Sequence, residues 1–228
     1  LEALAPFDAW AEAESRWELL RDMMRIVRTQ RIPLAAIPDI RPLLALPEGV
    51  VLEGQDLLKV AGTLKDMARL RQGLEQDDST LAILVRGITP LDDLAHDLDT
   101  HILPTGEVSD LKNPLLRKLR MRMRTVRATV LERLEQILER IKPAVMEDII
   151  TIRNNSFVIP LRHDYVAYLQ GITHDYSGSR HSIYVEPMEV VEDNNALNEL
   201  RSEIREEEYK VLQELTSRIV QAAAAILT

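Results

Sequence analysis

The sequence has no cysteine, which excludes disulfides, thiolate catalysis and any cysteine-ligated zinc site. Aromatic residues are scarce, with two Trp, five Tyr and two Phe in 228 residues, and glycine occurs only eight times. A core with so few rings is aliphatic, and so few flexible joints suit a mainly helical chain. No apolar run reaches the roughly 18 residues of a membrane helix, and no secretory leader is legible. Phosphate-loop signatures are missing too: there is no GxxxxGK followed by Ser or Thr, and no GxGxxG. The histidines lack HExxH spacing, and no GxSxG is present to suggest a nucleophile. The sequence opens on Leu1 rather than Met, which reads as a segment of a longer chain.

What is present supports one or two domains with a real core. Apolar residues make up 46% of the chain and the net charge is −9, so the chain is not basic throughout. The charge is unevenly placed. From Lys112 to Lys142 ten Lys or Arg face three Glu, whereas from Glu189 to Glu214 nine acids face three bases. A basic segment and an acidic one thus flank a near-neutral stretch.

Periodicity gives the organisation. Residues 8–29 read as a helix with Trp10, Trp17, Leu20, Met24 and Val27 near helical spacing. Pro33, Pro38, Pro42, Pro47 and Gly49 exclude a long helix over 31–49. Helical stripes follow over 55–74 and 80–86, stopping at Gly87, with a further helix from near Pro90 and a turn or hairpin at 104–110. Pro114 opens a long helix with a coiled-coil-like seam at Leu119, Met123, Val126, Val130, Leu134, Ile137 and Ile141. Short β-branched and aromatic runs between 149 and 186 read as a small antiparallel sheet. A second long helix follows, with Asp193 or Asn194 as its cap and an apolar stripe from Leu197 to Ile226. The fold class expected is mainly α: a helical core over 1–113, an ascending lever helix over 114–148, a β-containing clamp tip over 149–187 and a descending lever helix over 188–228. The two long helices should pack antiparallel, since their opposite charges favour it.

Polar groups concentrate at the strand ends and turns of the tip: Arg153, Asn154, Asn155, Arg162, His163, His174, Arg180 and His181. Guanidinium, amide and imidazole donors of this kind position a phosphate backbone. Arg153, Arg162 and Arg180 are expected to share one edge of the sheet. Asp164, Asp175 and Glu186 oppose them, so binding there is local and weak. Arg120, Arg124 and Arg127 on the basic helix are further candidates. The competing reading of that helix is a solvated face paired with the acidic one, with Glu199, Glu203, Glu206 and Glu207 as partners. His174, Asp175 and His181 form a marginal metal-ligand set.

The segment from Ile150 to Leu215 resembles the MutS-two branch of the bacterial MutS family. The matching elements are Thr151–Asn154, Phe157–Pro160, Gly171–Asp175, Ser177, Ser179, Glu186–Pro187 and Asn194–Asn195, in order and spacing. IPDIRPLLALPEGVVLEGQDLLKVAGTL and LKNPLLRKLR upstream also look like this family, so the resemblance spans roughly 19–228. Two places depart from it. Arg180 and His181 stand where the family usually has Gly and a small residue, and Asn155–Ser156 stands where it often has Asn-Gly before a basic side chain.

The resemblance implies the core, levers and clamp of a cytoplasmic, homodimeric ATPase. It also implies ATP and Mg as cofactors outside these residues, a C-terminal nuclease domain in the whole protein, and partners among branched or structured DNA or ribosomal RNA and the ribosome. No cofactor, catalytic residue or metal site is expected in the chain itself. Suppression of recombination, repair and ribosome rescue are the processes implied. The alternative is a coiled-coil dimerisation scaffold without direct nucleic-acid contact. Lacking a phosphate loop, the chain is expected neither to bind nor to hydrolyse ATP. Phosphate release by a clean preparation, abolished by a substitution within these residues, is the result that contradicts this.

Overall fold

The structure, a computed structural model, describes residues 10–29, 38–74, 79–145, 149–176 and 182–227. The chain divides into two compact units, Leu1–Lys112 with Lys210–Thr228, and Asn113–Tyr209.

The first unit is helical. It holds α1 (Trp10–Thr29), α2 (Arg41–Leu44), α3 (Gly54–Leu74), α4 (Thr80–Arg86), α5 (Asp92–His101) and the end of α7 (Val191–Leu227). Pro42 sits in the first turn of the short α2, where a missing N–H costs nothing. Leu57, Val60, Ala61 and Leu64 of α3 are buried, as are Leu94, Ala95 and Leu98 of α5. Ser79 caps α4 by accepting from the Ala82 amide at 3.1 Å, and Asp22 of α1 accepts from Thr80 N at 2.8 Å. Inside the unit, the buried Thr216 hydroxyl of α7 accepts from Leu52 N at 3.0 Å. Arg218 donates to Asp97 at 2.6 Å and holds that carboxyl below its ordinary range. The turn at 104–110 is closed by an antiparallel bridge between Ile102 and Val108. A Cβ on Gly54 would lie 1.9 Å from the Gly106 carbonyl oxygen; this approach of two backbones needs glycine.

The second unit carries α6 (Pro114–Arg140), four strands and the start of α7. Asn113 caps α6 by accepting from Leu116 N at 2.9 Å, and Pro114 occupies the first turn. Leu116, Leu119, Val130, Leu134, Ile137, Leu138 and Ile141 are buried, so the seam read from the sequence is the core face. Met123 and Val126 pack half-buried beside it. The helix ends at Arg140, and Pro143 lies in the 3-10 turn Lys142–Ala144. Strands β1 (Thr151–Arg153), β2 (Ser156–Arg162), β3 (Gly171–Tyr176) and β4 (Ser182–Pro187) form an antiparallel sheet in the order β1-β2-β4-β3. Phe157, Ile159, Leu161, Ile183 and Val185 turn one sheet face onto Val130, Leu134 and Ile137 of α6 and Leu197 of α7.

Helix α6 and the first part of α7 run antiparallel. Asn113 donates to Glu207 (3.0 Å) and Arg120 to Glu208 (2.7 Å) near one end, and Arg133 donates to Asp193 (2.5 Å) towards the other. The start of α7 differs from expectation. Pro187 closes β4, a 3-10 turn spans Met188–Val190, and α7 opens at Val191. Asp193 and Asn194 therefore lie inside its first turn and are not its cap. The sheet–helix core yields a stability prediction. Leu134→Ala lowers the unfolding free energy by about 2–5 kcal/mol, whereas Leu115→Ala, at a half-exposed position on the same helix, stays within about 0.5 kcal/mol; denaturant titration of both variants checks it.

Candidate nucleic-acid interface

Two of the tip's polar residues, His174 and Asn154, join a network centred on buried Glu186 and Asn194. Asn194, fully buried, accepts from Phe157 N at 3.0 Å and donates to Phe157 O at 3.1 Å. It thus completes the backbone pairing of β2 as a neighbouring strand would. Its Nδ2 also donates to Glu186 Oε1 at 2.8 Å. The other carboxylate oxygen, Oε2, lies 2.5 Å from His174 Nε2. A carboxylate only accepts, so Nε2 donates to it, and Asn154 Nδ2 lies 3.5 Å from Nδ1 on the other side of the ring. Glu186 is 3% exposed; a carboxylate so deeply buried requires such partners. No buried side-chain nitrogen or oxygen among the described residues lacks a hydrogen bond.

The geometry of β3 makes this possible. Thr173 pairs with Val185 and Asp175 with Tyr184, so His174 is an extra, bulged residue. Gly171 opens the same strand against β4, where a Cβ would lie 2.3 Å from the Glu186 carbonyl oxygen. Asn154 and Asn155 form the β1–β2 turn with φ of 48° and 67°, the two-residue hairpin geometry that asparagine tolerates best after glycine. Arg201 of α7 donates to the Asn155 carbonyl at 2.7 Å and to Asn198 at 2.9 Å, pinning the turn.

The expected phosphate-binding residues are scattered differently. Arg153 pairs with Ser156 at one end of β2, and Arg162 closes the other end. Six residues of strand separate those positions, roughly 20 Å. The expectation of one shared edge therefore fails for these two. Arg180 and His181 lie outside the described residues. Arg153 stacks on Tyr184 at 4.2 Å and donates to the Ile152 carbonyl at 2.9 Å. Arg162 stacks on Tyr165 at 5.1 Å, and exposed His163 begins the 3-10 turn His163–Tyr168. Stacking fixes a guanidinium without neutralising it. His174 is engaged with Glu186, and exposed Asn154 touches its ring at 3.5 Å.

On α6, Arg120 is ion-paired with Glu208 and Arg127 lies 6.0 Å from the Phe157 ring. Lys118, Arg122 and Arg124 are exposed, and no ion pair joins them to any described carboxylate. Glu208 and Asp193 of α7 meet the basic helix, and Glu189 just before α7 pairs with Arg140 at 2.5 Å. Glu207 takes the Asn113 amide. Glu199, Glu203 and Glu206, named from the sequence, are exposed instead. Among the described residues no cluster of three or more His, Asp or Glu could hold a metal ion. No described helix is long and apolar enough to cross a membrane.

No protein-family model matches the chain. Among curated proteins it is 30% identical over 226 residues to an endonuclease MutS2 from Synechocystis, covering 96% of this chain and 27% of that protein. It is 32% identical over 232 residues to the endonuclease MutS2 of Symbiobacterium thermophilum, covering 100% of this chain and 29% of the relative. To that of Geobacillus kaustophilus it is 38% identical over 185 residues, covering 77% and 24%. The chain thus spans less than a third of the length of these relatives, and it is a MutS2-related segment.

Glu186 and Asn194 act through one another, which a pair of neighbouring asparagines tests. Asn194→Ala strips partners from Phe157 and Glu186, and since each unsatisfied buried group costs about 1–3 kcal/mol, the loss is at least about 2 kcal/mol. Asn195→Ala, at an exposed position beside it, changes stability by less than about 0.5 kcal/mol. Equal midpoints for the two variants in urea would contradict the network's role.

Proposed function

We propose that the chain is the core, lever and clamp region of a MutS2 protein, and that it grips the phosphate backbone of branched or structured nucleic acid without reading sequence. Residues 1–113 serve as core, 114–148 and 188–228 as levers and 149–187 as clamp. The observation that carries the reading is the exposed cationic surface of α6: Lys118 and Arg122, one turn apart, share one side and Arg124 lies on another, and no ion pair joins the three to a described carboxylate although the acidic stretch of α7 lies alongside. A helix built only to pair with its neighbour has no use for that surplus, whereas a phosphate backbone does. Exposed Arg162 and His163, and Arg153 held flat on Tyr184, supply further donors on the sheet. The similarity to proteins named as MutS2 endonucleases supports a nucleic-acid ligand.

In this reading the chain performs no chemistry. ATP, Mg, nuclease activity and the homodimer belong to the whole protein, and the levers pass the nucleotide state of an ATPase to the clamp. The ligand is branched DNA or ribosomal RNA on the ribosome. A scaffold role without nucleic-acid contact is favoured by a different observation, the ion pairs Arg120–Glu208 and Arg133–Asp193 that neutralise part of α6.

Two variants separate the readings. Arg124→Glu weakens binding to a four-way DNA junction or a structured ribosomal RNA fragment and leaves the melting temperature unchanged. For duplex DNA each lost phosphate contact flattens the log–log salt slope by about 0.9. Arg120→Glu, which breaks a partly exposed pair, lowers stability by no more than about 1 kcal/mol. Binding that ignores salt, or no binding to either ligand, favours the scaffold.

A further inference from the structure

Helix α1 is apolar on two faces. Ile26 is buried against Leu74, Ala82 and Val85, with Leu19 and Met23 half-buried on the same side. Trp10, Trp17, Leu20 and Met24 are 82%, 66%, 46% and 50% exposed. At roughly 100° per residue, this second stripe centres nearly opposite the first, on the side where an ordinary surface helix carries polar groups. Trp10, Ala13, Trp17, Leu20 and Met24 follow one another at alternating steps of three and four residues. That is the a and d pattern of a coiled-coil seam, with a period of 3.5.

We infer that α1 is a self-association surface, forming an antiparallel two-helix coiled coil with α1 of a second copy of this chain. The direction follows from charge. With Trp10 at a heptad a site, Glu14 and Arg21 occupy e sites and Arg16 a g site. A parallel pair sets each Arg16 against the partner's Arg21, a repulsion made twice. An antiparallel pair that sets Trp17 against the partner's Leu20 places Glu14 beside the partner's Arg21, an attraction made twice. In the same register Met24 meets the partner's Ala13, so a long side chain lies over a short one. The seam is confined to a helix of 20 residues, which makes the association weak and dependent on concentration.

The chain carries its own probe, because its two tryptophans both lie on this stripe. Light scattering from micromolar to millimolar concentration should show the mass rising from 26.0 kDa towards twice that value. Tryptophan emission should move to shorter wavelength in step. Trp17→Glu, at an exposed position, holds the chain monomeric with its helical circular dichroism intact. Glu14→Arg and Arg21→Glu each weaken association roughly three- to tenfold, and the double swap restores it. A chain that stays monomeric throughout overturns the inference. So does association that ignores Trp17→Glu, and so does association strengthened by Arg21→Glu alone, which is the signature of the parallel arrangement.

Discussion

The second unit hangs on one asparagine. Asn194 stands in the first turn of α7 and directs both amide hydrogens and its side-chain oxygen at the sheet: both backbone groups of Phe157 and one oxygen of Glu186. Because Asn194 and Glu186 are buried, none of these bonds can be exchanged for bulk water without exposing a buried group. The start of α7, the middle of the sheet and the bulge on β3 therefore hold one arrangement. The aliphatic packing of Val130, Leu134 and Ile137 on Ile159 and Leu161 stabilises that arrangement, but apolar contacts tolerate sliding. The polar network fixes which strand faces which turn.

The helices were legible because their signals are local. Asn113–Pro114 marks the start of α6, Ser79 and Gly87 bracket α4, and the seam residues of α6 recur at helical spacing and are buried in turn. The sheet was legible from β-branched runs and the Asn154–Asn155 turn. Asn194 was misread as a cap because an asparagine near a helix start has the same local appearance whether it bonds its own helix or a strand 37 residues away in sequence. The shared edge of Arg153 and Arg162 failed for a related reason. Strand ends can be recognised in sequence, but which ends meet depends on a pairing register that sequence spacing does not contain. His174, Glu186 and Asn194 each fall in an element that carries the resemblance, but nothing in the sequence joined them; the structure links them through the Glu186 carboxylate.

The charge asymmetry is only partly resolved by pairing. Arg120, Arg133 and Arg140 find carboxylates on or beside α7. Glu199, Glu203 and Glu206 instead lie on exposed positions of α7, and Lys118, Arg122 and Arg124 on exposed positions of α6. The two helices are matched where they touch and carry opposite surplus where they do not. A polyanion approaching such a pair meets attraction from one helix and repulsion from the other, so orientation as well as affinity depends on the charge pattern.

The bulge at His174 has a consequence for the rim of the sheet. β3 is an outer strand with most of its residues exposed, and an outer strand offers unpaired amides and carbonyls to any passing extended chain. The extra residue breaks the even spacing a further strand would need, and Asp175 adds a carboxylate beside the break; its Oδ1 already accepts from the Tyr176 amide at 2.8 Å. The irregularity that lets His174 reach Glu186 thus also discourages stacking of one molecule's sheet on another's. Removing a single residue here would straighten the strand, vacate the buried carboxylate and leave an uninterrupted edge on which fibrous growth could begin.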